Sequence, residues 1–243
     1  MAGRYLLEVA ANSVASAQAA QDGGAGRVEL CTGLELGGLT PSAALIAMVR
    51  ERLHIPLYVL VRPRAGDFLY SDLECEMMQR DIETCAALGC DGVVIGVLDA
   101  DGRVDAGRCK PLVRAAGGMG VTFHRAFDLT ADPEQALEDV IALGCERVLT
   151  SGARASAMEG APLIKRLVER SDGCIAVMPG AGVTPQNIAA LAQATGATEL
   201  HASAKRQLPS GMRHRRAELH DMESGEIRSD VEQVRALVAA LQN

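Results

Sequence analysis

The segment VTFHRAFD, residues 121–128, opens as an apolar strand and closes with His124, Arg125 and Asp128. An imidazole, a fixed cation and a carboxylate so close together can hold an anion, share a proton or bind a metal. The same change of character recurs along the chain. YLLEVA (5–10) carries Glu8, RVELCT (27–32) carries Glu29 and Cys31, PLYVLVRP (56–63) leads to Arg62 and then Arg64, and ELHASA (199–204) carries His201 and Ser203. Burying an unpaired charge costs several kcal/mol, so these groups must pair with one another, bind a ligand, or do both.

Something must bring them together. Three further apolar runs, GVVIGVL (92–98), RVLTSG (147–152) and IAVMPGAG (175–182), complete a set of eight. Their starts recur every ~28 residues, close to the length of one strand–helix–strand unit. The intervening segments, such as ALIAMVRERL (44–53) and QALEDVIALG (135–144), have apolar residues at helical spacing. Thr40-Pro41, Asp132-Pro133 and Thr184-Pro185 each offer a capping side chain before a proline, and Ser71 with Glu74 fits a capping box. Gly89 and Gly144 end helices in two near-copies, AALGCDGVV and IALGCERVL.

Eight such units in 243 residues predict an α/β chain folded as a single TIM (β/α)8 barrel over residues 1–243. The alternative is an open doubly wound sheet, but no GxGxxG follows the first strand. Only the polar segment 206–227 breaks the rhythm, before a last helix near 229–242.

Composition narrows the function. Hydrophobic residues make up 48% of the chain and aromatics only 2%, so the core is aliphatic. A net charge of −7 argues against nucleic-acid or anionic-membrane partners, and the short basic run at 213–216 reads as a solvated loop face. No apolar run is long enough to span a bilayer, and nothing resembles a secretory leader. The seven cysteines lack CxxC spacing, which predicts reduced thiols and a cytoplasmic setting.

In such a barrel alternate strand residues face the interior, and active sites form at the carboxyl ends. Parity then turns Glu8, Ala10, Glu29, Cys31, Arg62, Arg64, His124, Asp128, His201 and Ser203 toward one mouth. Gly180 and Gly182 follow the seventh strand, where a glycine backbone can approach a phosphate or carboxylate, and Ser151 could widen the same floor. Each has a plainer reading. Glu8 or Glu29 could neutralise Arg62, His124 could be a satisfied core histidine, Cys31 a small buried hydrophobe, Asp128 a loop acceptor, and the glycines a tight turn.

RVELCTGLELGGLTPS (27–42), VRPRAGDFLYSDLE (61–74), VTFHRAFD, RVLTSG, VMPGAGVTPQNI (177–188) and ATELHASAK (197–205) together resemble the CutC family over residues 5–205. The resemblance implies a cytoplasmic TIM barrel that pairs as a homodimer and a role in copper homeostasis. It also implies Cys31 as a Cu(I) ligand. Some members have a second cysteine in strand one, where this chain has Ala10.

Two functions follow. One is copper handling, with Cys31 as ligand and His124 or His201 assisting; Cu(I) prefers two or three soft ligands, and the other cysteines fall on helices or strand starts. The other is an isomerase, epimerase or lyase for a small phosphorylated or carboxylated metabolite. There Arg62 and Arg64 would hold the anion, and His124 with Glu8 or Glu29 would move a proton. A Schiff-base aldolase has only Lys205 to draw on, and the flanking arginines disfavour a divalent metal at Glu8, Glu29 and His124. A third class is a binding protein that keeps the pocket without turnover.

Overall fold

Each of the eight apolar runs forms a strand, all but the first shorter than its sequence suggests: β1 (Leu6–Ala11), β2 (Arg27–Leu30), β3 (Leu57–Leu60), β4 (Gly92–Ile95), β5 (Gly120–Phe123), β6 (Arg147–Thr150), β7 (Ala176–Pro179) and β8 (Glu199–Ala202). The structure, a computed structural model, describes residues 5–214, 216, 218 and 225–242. Helices α1 (Val14–Asp22), α2 (Ala43–Arg50), α3 (Asp72–Ala87), α4 (Ala106–Ala116), α5 (Pro133–Ala142), α6 (Ala161–Ser171) and α7 (Ile188–Thr195) separate them, and α8 (Val231–Gln242) ends the chain. The strands are parallel in the order β7-β6-β5-β4-β3-β2-β1-β8. β7 and β8 pack side by side without a hydrogen-bonded ladder among the described residues, so this is a nearly closed TIM barrel. No described helix is long and apolar enough to cross a membrane.

One face of every strand meets the helices. Val9, Val28, Val59, Val93, Val121, Val148, Val177 and Leu200 are fully or almost fully buried between sheet and helix layer. Such burial stabilises by about 1.5–3 kcal/mol per side chain, which explains the β-branched outward parity. The cysteines of the helix layer, Cys85, Cys90, Cys109 and Cys145, are buried in the same stratum.

Capping agrees with the sequence in part. Ser71 and Glu74 make the capping box of α3, and Asp132 caps α5 ahead of Pro133. Gly89 and Gly144 adopt φ of +74° and +83° after α3 and α5. Thr40-Pro41 does not begin α2; Ser42 caps it, while the Thr40 hydroxyl bonds the Arg62 backbone N–H at 2.9 Å and its carbonyl at 3.1 Å. Thr184-Pro185 likewise starts a separate turn, and α7 begins only at Ile188.

The polar segment 206–227 is anchored as a hairpin rather than left as an open loop. β9 (Lys205–Leu208) pairs antiparallel with β10 (Glu226–Ser229), and Asn12 Nδ2 donates to Ile227 O at 2.7 Å. Residues 215, 217 and 219–224 within it, Arg215 of the basic run included, lie outside the described residues; Arg213, His214 and Arg216 are exposed.

Candidate functional site at the barrel mouth

The inward rows follow from register. Neighbours in a parallel ladder share a face, so Glu8 sits beside Arg27 and His201, and Glu29 beside Ala10 and Tyr58. Near the amino ends of the strands these rows form a closed charge layer. Arg147 Nε donates to Glu199 Oε2 at 2.5 Å and its Nη1 to Thr122 Oγ1 at 3.0 Å and Glu146 Oε1 at 2.9 Å. Arg27 reaches Glu199 at 2.6 Å and also pairs with Glu8. Both guanidinium groups flank the Tyr58 ring, 5.1 and 5.3 Å from its centroid, and the Tyr58 hydroxyl bonds Glu146. The inward glycines Gly92 and Gly120 make this possible: a Cβ at either would lie 2.1 or 2.2 Å from Tyr58.

From that layer a line of ionisable groups climbs toward the mouth. His201 Nδ1 lies 2.8 Å from Glu8 Oε1, and its Nε2 lies 3.7 Å from Glu29 Oε2. The first is a hydrogen bond and the second is too long for one. Burial would raise the Glu8 carboxyl, but hydrogen bonds and charge from His201 and Arg27 outweigh it and hold it at about 2. Glu8 is therefore ionised and can only accept, which places a proton on His201 Nδ1. Burial, then the Glu8 charge, push Glu29 up to about 7 against the pull of His201 and Arg27. Burial lowers His201, but Glu29 and then Glu8 more than compensate, and its pKa is raised. One imidazole thus stands between two carboxylates whose pKa values are pushed in opposite directions.

Above this line opens a cavity of about 580 Å³. Glu29, Cys31, Arg62, His124, His201, Gly182 and Ser203 all line it, with Ala10 in strand one. Glu8, wholly buried, lies beneath and is hydrogen-bonded to His201. Parity therefore brings Glu8, Glu29, Arg62, His124 and His201 to one place.

Four other expected residues go elsewhere, two of them, Arg64 and Asp128, because strand alternation does not hold past the ends of β3 and β5. Arg64 follows β3 by several residues and turns outward, to Glu74 at 2.6 Å, Asp67 at 2.9 Å and the Tyr70 ring at 5.0 Å. At His124 the strand gives way to a 3-10 turn (Arg125–Leu129), which swings Asp128 toward the end of β6. There it accepts from Thr150 Oγ1 at 2.5 Å, from the Ser151 N–H at 2.9 Å and from the Ala153 N–H at 3.1 Å, and it pairs with Arg125 at 2.7 Å. Ser151 is fully buried in this knot, its hydroxyl donating to Arg154 O at 2.6 Å. Gly180 is a packing position: a Cβ would lie 2.6 Å from Leu149 Cδ1. Asp128, Ser151, Arg64 and Gly180 are thus scaffold around the mouth and do not line it.

Two residues line the cavity in a different capacity from the one expected. Arg62 spends its fork on backbone: Nη1 donates to Leu36 O and Gly38 O, and Nη2 to Gly66 O, each at 2.9 Å. It contributes charge, with no bidentate clamp free for a ligand. His124 Nδ1 accepts the Ala126 N–H at 3.1 Å, and burial, then the Arg62 charge, hold its pKa down at about 3. It is neutral at physiological pH, and with its Nδ1 lone pair taken by the Ala126 N–H and its pKa held down it is a weak and poorly placed base.

Cys31 is buried in the cavity wall, and burial, then Glu29 and Glu35, push its thiol well above the ordinary range. Cu(I) is best held by two or three soft donors. Cys31 is the only sulfur in the lining, and among the described residues no three His, Cys, Asp or Glu are placed to hold a metal. The residues present do not fit a resident copper ion.

Sequence reasoning overlooked Arg27, Arg147 and Glu199, although the inward parity that marks Glu29 and His201 passes through Arg27 and Glu199. It also overlooked Phe68, Gln233 and Leu237 in the lining. These come from loops and from α8, where no strand period applies.

Comparison with known proteins places the chain. The model of the CutC family matches residues 5–206. A CutC family protein of Xylella fastidiosa is 58% identical over 235 residues, covering 97% of this chain and 88% of its own. The human copper homeostasis protein cutC homolog is 47% identical over 248 residues, covering 100% of this chain and 91% of its own. The crystal structure of a CutC protein of Streptococcus agalactiae aligns with a TM-score of 0.79 at 33% identity, covering 82% of this chain and 98% of that one.

Proposed function

Because this chain belongs to the CutC family, we propose that it serves the copper homeostasis for which its relatives are named, and does so as a proton-transferring enzyme on a small metabolite. The observation that carries this reading is the line Glu8–His201–Glu29 ending in the cavity wall. Glu8 fixes the imidazole's orientation and tautomer, as a buried carboxylate does for a catalytic histidine. Glu29, poised near neutrality, takes a proton from the substrate, and His201 exchanges it. A cavity of about 580 Å³ suits a small ligand. Isomerase, epimerase and lyase chemistry all begin with such a step.

The test is solvent exchange. Wild-type protein in D2O with a panel of small hydroxy and oxo acids, sugars and sugar phosphates should exchange a carbon-bound proton of one of them, read by proton NMR. Glu29→Gln should lose that exchange by about a hundredfold or more. Exchange that survives the substitution removes the pair from the mechanism.

A second reading keeps Cys31 as a contact for Cu(I), favoured by its sulfur lying in the same wall. One sulfur would hold the ion only with ligands from outside the chain. Anaerobic Cu(I) titration against a competing chelator should then separate wild type from Cys31→Ser, and equal weak uptake by both ends this reading. A cytoplasmic homodimer belongs to the same proposal, and sedimentation velocity tests the dimer.

A further inference from the structure

We infer that His124 is a donor to the substrate's oxygen: its Nε2–H, in the cavity wall beside Arg62, takes a carbonyl or carboxylate oxygen of the ligand. This rests on the proton-transfer reading and supplies its other half, the group that receives negative charge.

The tautomer follows from geometry. The Ala126 N–H points at Nδ1 from 3.1 Å, so Nδ1 bears the lone pair and Nε2 the proton. Flipped, the ring would leave the Ala126 N–H without its acceptor. It rests on Gly96, where a Cβ would lie 2.4 Å from Cε1 and 2.5 Å from Nδ1. His124 is 5% exposed, and Nε2 finds no acceptor among the described residues. A buried N–H without an acceptor is costly, and a ligand oxygen removes that cost.

Charge specifies the class of ligand. A neutral N–H donor accepts only an oxygen or nitrogen lone pair, and the Arg62 guanidinium nearby favours one that carries or develops negative charge. Arg62 is itself held by three backbone carbonyls, so it stays in place without the ligand. Phe68 lies against both groups, 4.9 Å from the imidazole and 5.0 Å from the guanidinium carbon, which screens the donor from bulk water. An oxygen reaches Nε2 by displacing that ring.

The base lies on the other side of the mouth. His124 follows β5, whereas Glu29 and His201 stand on β2 and β8, the two neighbours of β1. In this proposal a carbonyl compound held by its oxygen at His124 turns its adjacent carbon toward Glu29 across the cavity. The Glu29 carboxylate takes that carbon's proton, and the C–H electron pair becomes the carbon–carbon double bond of an enolate. The carbonyl π pair moves to oxygen, where the His124 N–H stabilises it without giving up its proton. Return of the proton from Glu29 to the same or the neighbouring carbon closes the cycle with no co-reactant. The substrate class is then a small carbonyl compound with an acidic α-hydrogen, such as a hydroxyketone or a 2-oxo acid.

Oxalate, a planar mimic of an enediolate, is the probe. In protein labelled with 15N-histidine, the His124 nitrogens should show an Nε2–H tautomer that does not titrate from about pH 5 to about pH 9. Oxalate should move the Nε2–H proton resonance downfield. His124→Phe should weaken oxalate about tenfold or more, and His124→Gln, whose amide nitrogen overlies Nε2, should recover most of the loss. An imidazole that titrates near its ordinary value, or oxalate that leaves its resonance unmoved, overturns the inference without recourse to any variant. Glu29→Gln keeps the two proposals apart: oxalate should bind it at least as well as wild type. Oxalate contact at His124 alongside exchange that ignores Glu29 would sink the proton-transfer reading and spare the donor.

Discussion

The barrel interior holds ionisable groups at both ends, and the two ends treat them differently. Toward the amino ends of the strands Arg27, Arg147 and Glu199 find partners on every side, and Tyr58 lies between the two cations. At the mouth Glu29 has only a distant imidazole, and His124 Nε2 has no acceptor among the described residues. The residue types are similar. What separates a layer that holds a fold from a site that can act is whether the partners are already supplied.

Cutting the closed layer should have the largest effect. Arg147→Met takes one of two cations from the partly buried Glu199, which keeps only Arg27, and strips the guanidinium contact from the exposed Glu146; it should cost about 3 kcal/mol in urea unfolding. A loss under about 1 kcal/mol would mean that the layer is dispensable and the contrast with the mouth is false.

The mouth should respond with the opposite sign. Glu29 has a folded pKa of about 7, above its ordinary 4.5, so its contribution to stability is full below the lower value and lost as pH rises through about 7. His201, also raised, works in the same direction. Glu29→Gln removes the ionisation, and near pH 8 it should stabilise the protein by about 2 kcal/mol while flattening the profile below it. Wild-type stability that stays level between about pH 5 and about pH 8 would break the comparison.

Glu8 sharpens it further. Its carboxyl sits at about 2, below the ordinary value, so its contribution is present above pH 4.5 and lost as pH falls through about 2. Acid unfolding should therefore shift to higher pH in His201→Gln, which removes one of the groups that hold Glu8 down. The smallest effect belongs to Arg64, which pairs outside the cavity at a partly exposed position. Arg64→Ala should cost under about 1 kcal/mol and leave oxalate binding unchanged. Loss of binding would return Arg64 to the site.

The fold was legible because eight strands in a barrel impose two independent regularities, the strand–helix repeat and the parity within each strand. Both depend on backbone geometry alone. Parity located Glu8, Glu29, Arg62, His124 and His201 correctly as long as the backbone stayed extended. It misplaced Arg64, where the chain bends after β3, and Asp128, where a 3-10 turn after β5 rotates side chains by a different period. Roles were harder to read than positions. The Arg62 fork looks free until the carbonyls of Leu36, Gly38 and Gly66 are folded onto it, and no local pattern announces a contact of that kind.

The seam between β7 and β8 has one further consequence. Seven of the eight strand junctions are stitched by backbone ladders, and at the eighth the described residues show none. There the edge amides have neighbours but no partners in register, so they should lose protection in hydrogen–deuterium exchange before those of β1 to β6. His201 and Gly182 belong to the strand and the loop flanking that seam. The wall of the cavity that carries His201 is therefore where exchange should begin, at a junction with no ladder to unzip.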